Sequence, residues 1–243
     1  MFWLIGFCGW RAIECYSPHV LLSASSGAIL HELLDADYEL SEIEYAYKGR
    51  IATARSLIEQ CDGDAVPWPD DLPRPSSDRR ALDDDQYKTT FDLTLLATAF
   101  TFFHEFRHVM LDFDDERPSE LREEELQCDV WAREFMTAKI EGYARDHGHD
   151  YEQVLRKRSM GLALAALILH EITPETVVNP HYFSIKVRLS ALLSSTPLPD
   201  NDYFWIFVAC ILVGVFRQRH VCFSPSSMSA RALAEHLLDE LPE

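Results

Sequence analysis

Basic residues are scarce in this chain: 22 lysines and arginines stand against 40 aspartates and glutamates, a net charge of −18 at pH 7. That balance argues against nucleic acid as a partner, because phosphates demand basic patches, and against anionic membrane surfaces. None of the six cysteines, Cys8, Cys15, Cys61, Cys128, Cys210 and Cys222, forms a CxxC pair, and their spacing is irregular. They therefore do not read as a zinc knuckle or a disulfide framework, and a reducing, cytoplasmic compartment is expected. Membrane-spanning stretches are lacking too. The uncharged run Tyr203 to Phe216 has 14 residues, short of the roughly 20 that a spanning helix needs, and reads as a buried core helix. The apolar start, Met1 to Trp10, has no positive residue ahead of it and no small-residue cleavage site, so it is expected to be a buried β-strand and not a signal peptide.

What the chain has in quantity is apolar side chains, 47% of 243 residues, enough for a sizeable core and a single domain spanning 1–243. Residues 1–61 form an N-terminal β/α part. Short apolar runs broken by Ser17-Pro18 and by Ser23 to Gly27 predict a small β-sheet up to about residue 37. Ser41 and Glu44 then spell a capping box, and Ile43, Tyr47, Ile51, Ala54, Leu57 and Ile58 recur at helical spacing. Residues 62–86 carry Pro67, Pro69, Pro73 and Pro75 among aspartates and predict a loop. Residues 87–243 read as a helical core. Within it, Met160 to Leu169 is uniformly apolar and hence central, and 226–241 closes the chain as a short amphipathic helix.

The helical part is organised around His104-Glu105-Phe106-Arg107-His108. On a helix, residues four apart share a face, so His104 and His108 can hold one metal ion, with Glu105 beside them to work on a water. The preceding stretch, Leu93 to Phe103, is uncharged and apolar nearly all round, which predicts a buried helix and a dry site. Downstream, Pro118-Ser119 reads as a helix start with Ser119 as N-cap, followed by the acidic run Glu120, Glu123, Glu124, Glu125. Zinc takes a third protein ligand in catalytic sites and keeps one position for water. Glu125 is the candidate, because Asp129, one turn on, can accept a hydrogen bond from the second ring nitrogen of a ligating histidine. Glu123 and Glu124 are assigned to a solvated helix start.

These residues resemble known families. HExxH followed by ExxxD on a second helix is the layout of a gluzincin, and Glu125-Leu-Gln-Cys-Asp129-Val-Trp-Ala132 is similar to the E-x-x-A-(D/N)-x-F-A signature of ImmA/IrrE-type metallopeptidases. An apolar helix running straight into HExxH also resembles the phage-exclusion Lit peptidases. Arg107 departs from the small residue usual before the second histidine, and Cys128 from the usual alanine. After the motif helices, His181 and Arg188 look like a diverged form of a His-Pro and Arg-Leu pair found in several gluzincins. The resemblance implies that His181 steadies an oxyanion and that Arg188 holds a carboxylate or the loop.

The fold class expected is mainly α (α+β): a zincin-like helical core with a small N-terminal β-sheet. The function implied is a Zn2+-dependent endopeptidase performing limited proteolysis of a cytoplasmic protein or peptide substrate, in stress regulation or phage defence. His104, His108 and Glu125 would hold the metal, Asp129 would orient a ligand, and Glu105 and His181 would be catalytic. The alternative is a catalytically inert metal-binding regulator that keeps the fold to recognise a partner.

Overall fold

The computed structural model describes residues 1–60, 66–70, 72, 74, 78–82, 84–172, 183–219 and 229–241. Among them there is no β-strand; apart from one 3-10 turn at Arg79–Ala81, every element is an α-helix. In chain order these are α1 (Phe2–Ser26), α2 (Leu30–Asp35), α3 (Glu39–Gln60), α4 (Asp85–Phe113), α5 (Leu121–Thr137), α6 (Ile140–His147), α7 (Tyr151–Ile172), α8 (Ile185–Ser195), α9 (Tyr203–Arg219) and α10 (Ala230–Glu240). No described helix is long and apolar enough to cross a membrane. The contacts group into two compact units, residues 1–91 with 197–242, and residues 92–196.

The first unit corrects the expected N-terminal sheet. Residues 2–26 form one helix in spite of Pro18. Leu4, Ile5, Cys8, Ile13, Tyr16, Val20 and Ser23 are buried at helical spacing, a pattern that a continuous apolar run conceals. Pro18 forgoes only its own hydrogen bond to the carbonyl four residues back. The helix ends where a left-handed residue is needed, at Gly27 (φ 74°), whose N–H reaches the Ser23 carbonyl at 2.9 Å. α1 packs on α9, α3 and α2, and α10 packs on α9. The expected capping box is absent: α3 already begins at Glu39, capped by Asp37 Oδ1, which accepts from the Glu39 N–H at 3.0 Å. Glu44 instead accepts from Tyr16 Oη (3.1 Å) and Arg217 Nε (2.7 Å), tying α3 to α1 and α9.

The second unit is built on α7, which is buried continuously from Ser159 to Ile168 and packs on α5, α6 and α8. A helix enclosed on all sides contributes roughly 1.5–3 kcal/mol for each large apolar side chain removed from water. α4 is not buried all round, contrary to expectation. Leu93, Ala97, Phe100 and His104 face inward, but Leu95, Phe102, Phe106, Val109 and Phe113 are exposed. α5 starts at Leu121 with Glu120 as N-cap, and no side chain caps it, so Ser119 is not the cap.

Gly161 of α7 sets how close α4 comes. A Cβ built there would lie 2.5 Å from Leu96 Cβ, an atom fixed to the α4 backbone. Gly161→Ala should therefore push the two helices apart and cost on the order of 1–3 kcal/mol by overpacking, seen as a lowered midpoint in thermal unfolding. An unchanged melting temperature would contradict this close approach.

Candidate metal centre

α4 and α5 bring His104, His108, Glu125 and Asp129 together, all within the second unit. His104 is buried and His108 half-buried, one turn apart on α4. Their Nε2 atoms face each other at 3.2 Å, with the rings nearly perpendicular (72°). Glu125 of α5 completes the group: its Oε2 lies 3.3 Å from His104 Nε2 and its Oε1 3.4 Å from His108 Nε2. The three donors lie within 4.8 Å of one another, as they must to share one ion.

The spacing fits zinc. With bonds of about 2.0–2.1 Å, the edge of a tetrahedron is about 3.3 Å; the two Nε2 atoms are 3.2 Å apart, and each has one of the two Glu125 oxygens, either of which can be the third donor, at 3.3 or 3.4 Å. The chemistry of the donors fits as well. Glu125 Oε2 is buried, and its nearest polar neighbour is His104 Nε2 at 3.3 Å, a contact that is an ion pair when the ring is protonated. A buried carboxylate oxygen in that state is costly unless a cation meets it, the protonated His104 ring in the metal-free protein or a metal ion in its place.

Behind the donors stand two carboxylates, one per histidine. Asp129 Oδ1 accepts from His104 Nδ1 at 2.8 Å and also from Arg188 Nη1 of α8. Glu124 Oε1 accepts from His108 Nδ1 at 2.7 Å and lies 3.2 Å from Arg117 Nε, on the loop between α4 and α5. Each imidazole is thus held by a carboxylate that is itself held by an arginine, which orients the ring and raises its basicity as a ligand. Glu105 is exposed and forms no hydrogen bond or ion pair with another described residue.

His104, His108, Glu125 and Asp129 therefore come together as the spacing predicted, and Arg188 joins them through Asp129. His181 lies outside the described residues. Glu124 was assigned to the solvated helix start, yet it is buried, and only Glu123 is exposed. The signal for it was present: Glu124, Cys128, Ala132 and Met136 recur every four residues and form the buried stripe of α5. Arg117 had no such signal, because its role depends on how the connecting loop turns. Asp115 (φ 57°) occupies the left-handed position of that turn, and the Glu116 N–H bonds the Leu111 carbonyl at 3.0 Å.

The two departures in the motif are accommodated. Arg107 lays its guanidinium over the Trp131 ring, 5.9 Å from its centre. Cys128 is fully buried, and burial, followed by the Glu125 and Glu124 charges, pushes its thiol up to about 12, so it packs as a neutral thiol.

The sequence matches the family model described as Peptidase U49 over residues 1–208. No curated protein and no solved structure is significantly similar to the chain.

In the metal-free protein His104 is a strong base. Burial lowers its pKa, but the Asp129 and Glu125 carboxylates outweigh this and bring it from 6.5 up to about 9. A raised pKa stabilises the fold fully below about pH 6.5, and this contribution is lost as pH rises through about 9. An NMR titration of the metal-free protein should therefore find His104 protonated at neutral pH. In Asp129→Asn its titration should fall back towards 6.5; an ordinary pKa in the wild type would contradict the carboxylate cage.

Proposed function

The chain belongs to the peptidase U49 family, and on that premise we propose that it is a zinc-dependent endopeptidase that makes limited cuts in a protein target. The observation that carries this reading is the convergence of His104, His108 and Glu125 on one point, with Glu105 on the adjoining turn. Zinc bound there would act as a Lewis acid and make water acidic enough to deprotonate near neutral pH.

The chain's own residues do the rest. Glu105, exposed to solvent and next in sequence to His104, acts as general base on the attacking water. It then carries that proton to the leaving amine when the peptide bond breaks. Asp129 with Arg188, and Glu124 with Arg117, fix the two imidazoles so that both Nε2 lone pairs point to the same place. His181 is assigned to the oxyanion by sequence pattern alone.

The cytoplasmic setting rests on the chain's cysteines. Cys15, Cys128 and Cys210 are free thiols, which suits a reducing compartment. A role in stress regulation or phage defence rests on the motif resemblance.

Two variants test the roles. Glu105→Gln should bind zinc like the wild type and cleave protein substrate at least about 100-fold more slowly, the scale of a lost general base. Retained cleavage in that variant would remove Glu105 from the mechanism. Glu124→Gln should weaken zinc binding by roughly 10- to 100-fold, measured by competition with a chromogenic chelator, because it leaves the His108 ring without its charged partner.

A further inference from the structure

The HExxH helix carries a row of exposed large apolar side chains on its outer side. Leu95, Phe102, Phe106, Val109 and Phe113 are 53%, 63%, 45%, 63% and 89% exposed. At about 100° per residue they fall on one stripe of α4, and at about 1.5 Å per residue the stripe is about 27 Å long. Its three rings alone leave on the order of 400 Å² of aromatic surface in water, at roughly 200 Å² per ring, the scale at which an apolar patch marks a binding face. Phe102 and Phe106 stack on each other (interplanar angle 9°), and Phe103 packs on Phe135 of α5 at 4.5 Å, so the ridge is held in place. Around the helix, Glu105 falls between this stripe and the two histidines, about 70° from the one and about 80° from the other.

The two ends of the stripe differ. At its start Leu95, Leu96 and Ala99 line a groove of about 550 Å³ shared with Tyr143, Val154 and Arg158, large enough to take apolar side chains. At its end stand Asp112, Asp114, Asp115 and Glu116, all exposed, with no basic residue in the last turn of α4. Carboxylates at a helix C-terminus oppose the helix dipole, so this placement works against the helix that carries it. Arg117 lies 3.8 Å from Asp112 and meets one of these charges; Asp114, Asp115 and Glu116 form no ion pair with a described residue, which is explained if positive charge arrives from outside, and local rules of this kind are broken mainly at functional sites.

We propose that this face is a docking site for the substrate protein, and that it takes an amphipathic helical segment with large apolar side chains along one side and lysines or arginines at one end. This rests on the peptidase reading and deepens it. The apolar side chains lie over Phe102, Phe106 and Val109 and enter the groove at Leu95. The basic end meets Asp112 to Glu116. The segment is held next to Glu105 without occupying the donors, so docking does not require the metal.

The test measures binding on metal-free protein, kept so with a chelator, and is therefore independent of whether the chain binds zinc or cleaves anything. The probe is a fluorescein-labelled peptide of roughly 18 residues, the length that spans the stripe as a helix. It carries Leu and Phe at helical spacing and three lysines at one end; its twin carries glutamates there. By fluorescence anisotropy the lysine peptide should bind at least about tenfold tighter than the glutamate peptide, and more weakly as salt rises. Phe102→Ser with Phe106→Ser should lose at least about tenfold, with circular dichroism confirming that the helices persist. Asp114→Lys with Glu116→Lys, on an exposed turn, should reverse the preference. No binding of the lysine peptide, equal binding of the twins, or indifference to both double variants would overturn the proposal. So would a concentration-dependent dimer, seen by sedimentation and abolished by the serine variants, since the face would then be an interface between copies.

Discussion

Two imidazole nitrogens held 3.2 Å apart, each with one oxygen of the Glu125 carboxylate at a similar distance, form the constraint on which the rest of the second unit depends. Three electron-rich atoms do not gather in a protein interior unless a proton or a cation lies between them. Each outer group answers to that requirement. Asp129 and Glu124 aim the rings, and Arg188 and Arg117 balance the two carboxylates, so that helix α8 and the α4–α5 loop are both tied to the centre. Helix α7 supplies the apolar floor, and at Gly161 it gives up a side chain so that the HExxH helix can come close.

The centre was legible in the sequence because its parts repeat at helical spacing. His104 and His108, and again Glu125 and Asp129, are pairs four residues apart, and four residues return to one face on any helix. Glu124 is not readily legible from the sequence because an acidic run at a helix start has an ordinary explanation in the helix dipole. Only the inward-facing stripe through Cys128, Ala132 and Met136 tells its side chain from that of Glu123. Arg117 and the pairing of Arg188 with Asp129 depend on contacts between elements, which no local pattern records.

The fold class was legible only in part. A uniformly apolar segment fits a buried strand and a buried helix equally well, and Ser17-Pro18 tipped the reading of residues 1–37 towards a sheet, whereas α1 runs through the proline. Uniform apolarity misled in α4 as well, where it implied burial on all sides. The outer side is open along five large apolar residues, so composition there reports two surfaces, one packed against the core and one open to solvent. The apolar runs of the second half, by contrast, lie in buried helices: Met160 to Leu169 falls in α7 and Tyr203 to Phe216 in α9.

The central claim is that His104, His108 and Glu125 hold one zinc ion. Plasma mass spectrometry of the purified chain, beside His108→Ala and Glu125→Ala, tests it directly. About one zinc per chain in the wild type, lost in both variants, is the result expected from a three-donor site. A wild type that takes up no zinc even when supplied with it, or variants that keep it in full, would contradict the claim.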